Sequence, residues 1–268
     1  MKRILLVIIL HFALYILNCN AQQQNNFTHF TTEDGLSQSS VFSIVQDDIG
    51  FMWFATEDGL NKFDGNTFTV FRNNPNDSTS LPDIGIRKAY KDRSGKLWVL
   101  SLRGKLCKYN PQKNNFKRYA FNSDTISNII KIITLTEDNN GNLWAISTKG
   151  EFFIYDLKKD IFIYKPLNEK FEKQFHSIHV QCALVDNENS FWIGTWEGLA
   201  NLDFKNQKLN WYNNSATAPN SLGGDMVFSL AEDEDGKIWI ASANGGVSVY
   251  DKSTNNFKVY KISNGQQS

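Results

Sequence analysis

A stretch of 14 residues recurs five times in this chain and limits the folds that it can adopt. The stretch is clearest at 233–246, which reads DEDGKIWIASANGG. A tryptophan anchors each copy, and consecutive anchors are 45, 46, 48 and 47 residues apart: Trp53, Trp98, Trp144, Trp192 and Trp239. Because five of the seven tryptophans fall on this grid, chance does not explain the spacing. A period in the middle forties indicates a solenoid, a propeller or another repeat array.

Other residues keep fixed distances from each anchor. An aspartate lies six positions before it, at Asp47, Asp92, Asp138, Asp186 and Asp233. A glycine lies three positions before it in four copies, and Asn189 takes that place in the fourth. Asp-x-x-Gly between apolar runs predicts a hairpin turn, with glycine at positive φ and the carboxylate bonded to turn amides. Asparagine also tolerates positive φ, so Asn189 fits the same turn.

The repeat contains enough strand-like segments for a propeller blade. A β-branched residue precedes each anchor by twelve positions, a second glycine follows it by six, and two further apolar runs come next. Four short strands per repeat predict an all-β fold of five four-stranded antiparallel β-propeller blades. The predicted blades lie near residues 40–72, 84–121, 129–165, 178–213 and 225–262.

Residues 1–21 are predicted to be a signal peptide, followed by a partial propeller over 22–268. Lys2 and Arg3 precede a largely apolar run of 14 residues, Ile4–Leu17. The residues after it, up to Ala21, include the small side chains that a signal peptidase recognises. Lipidation at Cys19 and an uncleaved anchor are the alternatives. In each case the rest of the chain is expected to be exported, to the periplasm.

Residues 27–30 resemble the fourth strand of every repeat, although copy five already has its own. Propellers often close by letting an N-terminal strand complete the last blade. The surplus therefore predicts a closing strand at 27–30 and an N-terminal piece, an incomplete arc, of a larger propeller of about seven blades. A five-bladed ring with an extra edge strand is the alternative.

Composition excludes several classes of function. Without Lys2 and Arg3 the chain has 26 basic and 28 acidic residues, so nothing favours nucleic acid or an anionic membrane as a partner. Cys107 and Cys182 fall two blades apart, which argues against a disulfide. His176 and His179 are three apart but lack further metal ligands nearby. We expect no metal, no cofactor and no catalytic residue.

The motif Asp-x-x-Gly-x-x-Trp-[hydrophobic]-x-[Ser/Thr]-x-x-Gly, as at Asp47–Gly59, resembles the two-component regulator propeller repeat. Residues 30–37 also resemble the entry segment of such proteins. The resemblance implies the extracytoplasmic sensor of a hybrid two-component system of the kind found in gut Bacteroidetes. In that family, further blades, a β-sandwich, a membrane helix and a histidine kinase follow, and many members sense glycan fragments. This chain contains no kinase motif.

Binding is expected on the face that carries the variable connections and the turns between second and third strands. Trp196 lies off the grid in such a turn, where an indole beside the Glu197 carboxylate could hold a sugar ring. Equivalent turns supply the other candidates, Glu57, Asp58 and Asn244. The alternative for Trp196 is packing against a loop, and Trp211 is predicted to pack within the blades.

Three functions remain open from the sequence. The first is a ligand-sensing propeller that recognises glycan-derived oligosaccharides, with the further blades and signalling domains of a longer receptor as partners. The second is a scaffold that binds another protein through the same face. The third is a propeller glycosidase or lyase, in which paired carboxylates such as Glu57 and Asp58 would act.

Overall fold

Each Asp-x-x-Gly turn joins the first two strands of an antiparallel sheet, and this unit occurs five times in the computed structural model. The structure describes residues 27–121, 130–218 and 220–261. The predicted signal peptide and the last residues of the chain lie outside these ranges.

The five sheets each contain four strands in sequential order, which confirms the predicted fold of five four-stranded antiparallel blades. Blade 1 comprises β1 (Val41–Gln46), β2 (Met52–Thr56), β3 (Gly59–Phe63) and β4 (Phe68–Phe71). Blade 2 comprises β5 (Ile86–Lys91), β6 (Leu97–Ser101), β7 (Leu106–Asn110) and β8 (Asn115–Tyr119). Blade 3 comprises β9 (Ile132–Glu137), β10 (Leu143–Ser147), β11 (Phe152–Asp156) and β12 (Ile161–Lys165). Blade 4 comprises β13 (Val180–Val185), β14 (Phe191–Thr195), β15 (Leu199–Asp203) and β16 (Lys208–Tyr212), and blade 5 comprises β17 (Val227–Glu232), β18 (Ile238–Ser242), β19 (Gly246–Asp251) and β20 (Asn256–Tyr260).

Backbone geometry accounts for the glycine and asparagine of the repeat. The third residue before each tryptophan has positive φ in every blade, and Asn189 adopts φ 66° in the place of glycine. At the second turn, a side chain on Gly59 would meet the carbonyl oxygen of Phe71 at 2.2 Å, so only glycine fits. Blades 2, 3 and 5 have one more residue in this turn than blade 1, and in blade 5 the positive-φ positions are Asn244 and Gly246.

Every first strand contains an irregularity that the sequence pattern did not reveal. The pairing with the second strand shifts by one residue just after the β-branched position, as between Val41 and Ser43 in blade 1. Such a bulge bends the strand and increases its twist. The first strand of every blade is therefore bent at the same position of the repeat, just as the turns recur at the same positions.

The cores of the molecule lie between blades. In the described part of the chain, four apolar clusters each join two consecutive blades, and each contains the tryptophan of the earlier blade. Trp53, Trp98, Trp144 and Trp192 are at most 8% exposed because the following blade covers them. Blade stability thus depends on the neighbour, as expected for a repeat array.

The five blades form an open arc and not a closed five-bladed ring. Within the described residues, no apolar cluster joins blade 5 to blade 1. Trp239 of blade 5 remains 41% exposed, and Ile44 of blade 1 remains 57% exposed. The expected incomplete arc is therefore present, and apolar side chains are exposed on both of its terminal blades.

Two segments lie outside the blades: the connection between blades 3 and 4, and residues 27–30. The variable connection between blades 3 and 4 contains a helix that the sequence pattern did not predict, α1 (Glu169–His176). Asn168 caps it by accepting a hydrogen bond from the Phe171 amide at 3.0 Å. Residues 27–30 form no strand, and Phe30 packs on Phe63 of blade 1 at 4.9 Å. They are therefore not an extra edge strand, and their closing role stays a prediction.

Candidate functional site

The repeated aspartates bind the anchor tryptophans. In every blade one carboxylate oxygen accepts a hydrogen bond from the indole N–H six residues later, at 2.7–3.0 Å. The other oxygen accepts hydrogen bonds from backbone amides of the same turn. Burial disfavours the ionised form of Asp138, but the bonds from Asn142, Trp144 and the turn outweigh it and lower the pKa of Asp138. These carboxylates therefore link each turn to its core.

The face predicted to bind ligand is assembled by backbone hydrogen bonds. In four blades the first residue after the second strand donates its amide proton to the residue just before the first strand, at 2.9–3.0 Å. The pairs are Leu102 with Gly85, Thr148 with Lys131, Trp196 with His179, and Ala243 with Met226. The turns between second and third strands therefore lie beside the ends of the variable connections. We call this surface the rim.

Trp196 and Glu197 form the centre of a small aromatic and acidic site on the rim of blade 4. The Trp196 ring stacks on the His179 ring, with centroids 4.7 Å apart and an interplanar angle of 21°. Glu197 Oε2 accepts a hydrogen bond from the His179 amide at 3.2 Å, and Asn213 donates to the Glu197 carbonyl. Trp196 still exposes 44% of its surface. The turn thus holds the indole and the carboxylate side by side while leaving both accessible to solvent.

The other predicted site residues lie in separate blades. Asp58 forms a hydrogen-bonded ion pair with Arg72 at 2.8 Å, and the Arg72 guanidinium lowers the pKa of Asp58. Glu57 and Asn244 are exposed, and Asn244 occupies the left-handed position of its turn. Within the described ranges, no hydrogen bond or ion pair joins the turns of blades 1, 4 and 5. Among the predicted site residues in the described ranges, Trp196 and Glu197 are the pair that contacts one common residue, His179.

His179 and Arg72 contact the predicted site residues but were not identified from the sequence. His179 was considered only with His176 as a weak metal pair, yet its ring covers Trp196, and His176 contacts the Glu172 carbonyl within α1. The sequence did contain a signal for His179, because it directly precedes the first strand of its blade. The equivalent residues are Gly85 in blade 2 and Lys131 in blade 3. Arg72 follows a fourth strand, and nothing in the repeat pattern connects it with Asp58.

Other chemistry receives little support from the described residues. They contain no group of three or more His, Cys, Asp or Glu side chains arranged to hold a metal ion. Cys107 and Cys182 are both free, and burial raises the pKa of the Cys182 thiol to about 12. No helix in the described ranges is long and apolar enough to cross a membrane.

Four-stranded blades arranged in an arc, each with its Asp–Trp hydrogen bond, define a β-propeller protein. Solved structures agree on the fold. An extracellular domain from B. thetaiotaomicron, of a protein described as a hybrid two component system, matches 84% of this chain with a TM-score of 0.67 and 20% identity. Virginiamycin B lyase from Staphylococcus aureus also matches 84% of the chain, with a TM-score of 0.60 and 14% identity. At these identities the likeness concerns the fold alone.

Sequence comparison identifies the repeats themselves. The family model for the two component regulator propeller matches residues 35–58 and 221–244. A curated protein, histidine kinase P4 from Formosa agariphila, is 51% identical over 82 residues, which is 30% of this chain. Two of the five repeats thus match the two component regulator propeller model, as the resemblance implied. It spans 6% of the length of that kinase and 31% of the length of the B. thetaiotaomicron domain.

Proposed function

We propose that this chain is part of the ligand-sensing propeller of a two-component receptor and acts on the exported side of the membrane. The family of its repeats and its partial match to a histidine kinase support a receptor. Its partners are then the further blades and signalling domains of a longer protein. Binding of ligand shifts an equilibrium between receptor arrangements by no more than its differential affinity for them.

The ligand of this proposal is an oligosaccharide bound at the rim of blade 4. The observation that carries it is the accessible indole of Trp196 beside the Glu197 carboxylate. An aromatic ring offers an apolar face with large contact area, which suits the C–H face of a sugar ring. Because one Glu197 oxygen already accepts from the His179 amide, the other remains able to accept from a sugar hydroxyl.

Titration calorimetry of the intact chain against a panel of glycan fragments tests this proposal. We expect one fragment class to bind, and Trp196→Ala to weaken that binding at least tenfold, about 1.4 kcal/mol. Leu102→Ala is the matched control, because Leu102 holds the same turn position in blade 2 and is also exposed. It should leave the affinity unchanged.

The alternatives predict different results. If no glycan binds but a protein partner is captured through the rim, the scaffold function replaces the sensor function. If a glycan binds equally well to Trp196→Ala, the chosen site is wrong although the ligand class stands. If the purified chain converts a glycan and Glu197→Gln stops the conversion, the protein is an enzyme.

A further inference from the structure

An aromatic cage encloses a lysine ammonium between blades 2 and 3. Its walls are the rings of Trp98, Tyr119 and Tyr155, whose centroids lie 5.0–6.1 Å apart. Lys108 Nζ lies 5.3–5.5 Å from all three centroids. The same ammonium donates to the Tyr155 hydroxyl at 2.9 Å and to the Asp160 carboxylate at 2.8 Å. Cation–π attraction and a carboxylate thus hold this cation in place.

The same cage recurs between blades 4 and 5. Trp192, Tyr212 and Tyr250 occupy the equivalent positions, with centroids 5.1–5.9 Å apart. The Tyr250 hydroxyl donates to Asn255 Oδ1 at 2.6 Å, as the Tyr155 hydroxyl bonds to Asp160 in the earlier cage. Asn255 and Asp160 lie in the same left-handed turn position, at φ 55° and 53°.

The second cage lacks the cation that occupies the first. Strand pairing places Lys108 opposite Trp98, and the residue opposite Trp192 is Asn201. The neighbouring Lys117, which also binds Asp160, corresponds to Asn210. Among the described residues, no lysine or arginine lies over the rings of Trp192, Tyr212 or Tyr250. Three asparagines therefore replace two lysines and an aspartate.

This replacement leaves a cleft of about 680 Å³ that Asn201 and the cage rings line. The Nδ2 atom of Asn201 is buried and has no hydrogen-bond partner. Asp186 and Glu188 contribute negative charge, although Lys252 pairs with Asp186 at 3.1 Å. Lys208 lies at the exposed edge of the cleft. An unpartnered buried amide is costly unless a ligand or water satisfies it.

We propose that this cleft binds a small organic molecule that carries a primary ammonium group and a neighbouring hydrogen-bond acceptor, such as an amino alcohol or an amino sugar. The ammonium lies among the three rings, where Lys108 Nζ lies in the other cage, and donates to Asn255 Oδ1. The acceptor of the ligand receives the proton of Asn201 Nδ2. The cleft includes the Asp186 turn, at the opposite end of β14 from Trp196, so the site is independent of the proposed rim site.

Calorimetric titration of the intact chain with ethanolamine and glucosamine tests the site. Ethylene glycol and glucose are the uncharged controls of similar size, in which a hydroxyl group replaces the amino group. We expect the amines to bind at least tenfold more tightly than the controls. Equal affinity of the amines and the uncharged compounds would overturn the proposal.

Exchange of residues between the two cages tests the mechanism. Asn201→Lys should place a tethered ammonium in the cleft and reduce amine binding at least tenfold, whereas Lys108→Asn should empty the first cage and create a second amine site. Asn255→Asp gives the second cage a carboxylate at the position that Asp160 holds in the first cage, and should tighten amine binding about tenfold. This variant keeps the test valid if Asn201→Lys or Lys108→Asn fails to fold. Amine affinity that is unchanged in Asn255→Asp, or in a folded Asn201→Lys, contradicts the proposal. Trp196→Ala should leave amine binding intact.

Discussion

Asp160 is the residue whose environment departs most from what the repeat pattern indicates. It ends a turn in blade 3, yet it accepts hydrogen bonds from Lys108, Lys117 and Tyr119 of blade 2. Burial would raise the pKa of Asp160, but the bonds from the two lysines and from Tyr119 and Tyr155 outweigh it and hold that pKa well below its ordinary value. One side chain therefore links two blades through an ionised group.

This linkage predicts a pH-dependent stability. Because the pKa of Asp160 is lower in the folded state than its unfolded value of about 3.9, its contribution is complete above that pH and is lost as the pH falls through the folded pKa. Asp160 is 36% exposed, so solvent screening limits the contribution to about 1 kcal/mol at neutral pH. Asp160→Asn should lose this free energy of unfolding at pH 7, measured with urea, and the difference from the unmodified chain should shrink below pH 4.

Asparagine is a suitable replacement because Asn114 and Asn255 hold the same left-handed position in other blades. Asp203→Asn is the control, since local bonds from Asn206 lower the pKa of Asp203 without linking two blades. A difference between Asp160→Asn and the unmodified chain that persists unchanged at pH 3 would show that ionisation of Asp160 is not the cause.

Among the elements, the strands follow from pattern but α1 does not. Strands recur with the tryptophan grid, whereas Glu169–His176 lies in the part of the repeat that varies in length. Its Phe171 and Phe175 are buried against blades 3 and 4, and Phe175 packs on Phe152 and Trp211 at 6.0 and 5.6 Å. The helix thus extends an inter-blade core, and Trp211 packs there as its sequence position predicted.

We expect Phe175→Ala to destabilise the chain by about 3–5 kcal/mol, because the removed ring leaves a cavity between two blades. Thermal and urea unfolding measure this loss. Lys173→Ala in the same helix is the control: its side chain is 75% exposed, so it should change the free energy of unfolding by less than about 0.5 kcal/mol. Equal effects of the two substitutions would mean that α1 does not contribute to the core.

On the scale of the whole molecule, the arc has two unequal ends that are both apolar. Blade 1 exposes Ile44 on its first strand, and blade 5 exposes Trp239, which stacks on the exposed Tyr260. In blades 1 to 4 the equivalent tryptophans are covered by the next blade. A terminal repeat without a polar outer face tends to associate.

The chain in isolation should therefore self-associate through these faces. Sedimentation velocity over a range of concentrations should show association that the double substitution Ile44→Lys with Tyr260→Lys abolishes, because charge opposes burial of the two faces. Leu157→Lys is the control, since Leu157 is 66% exposed but lies on a turn away from the blade faces. A monomer at all concentrations, or equal association of the double variant, would contradict this prediction.

The sequence by itself determined the repeat, the five four-stranded blades and the role of glycine or asparagine in the turns. These features depend on contacts between residues only a few positions apart, so they recur at a fixed spacing. It also placed Trp196 and Glu197 in one turn, because they are adjacent in the chain.

Only the tertiary structure decided which side chains meet when they are far apart in the chain. His179 lies beside Trp196 and Arg72 beside Asp58 within single blades, whereas the two aromatic cages join residues of neighbouring blades, such as Lys108 and Asp160. The repeat spacing did not reveal these pairs, because they depend on substitutions such as Lys108 against Asn201 at equivalent positions. The sequence predicted the open arc from the surplus segment at 27–30, but which faces it leaves uncovered became visible only as exposure of Trp239, since burial of a blade face depends on the neighbour that covers it.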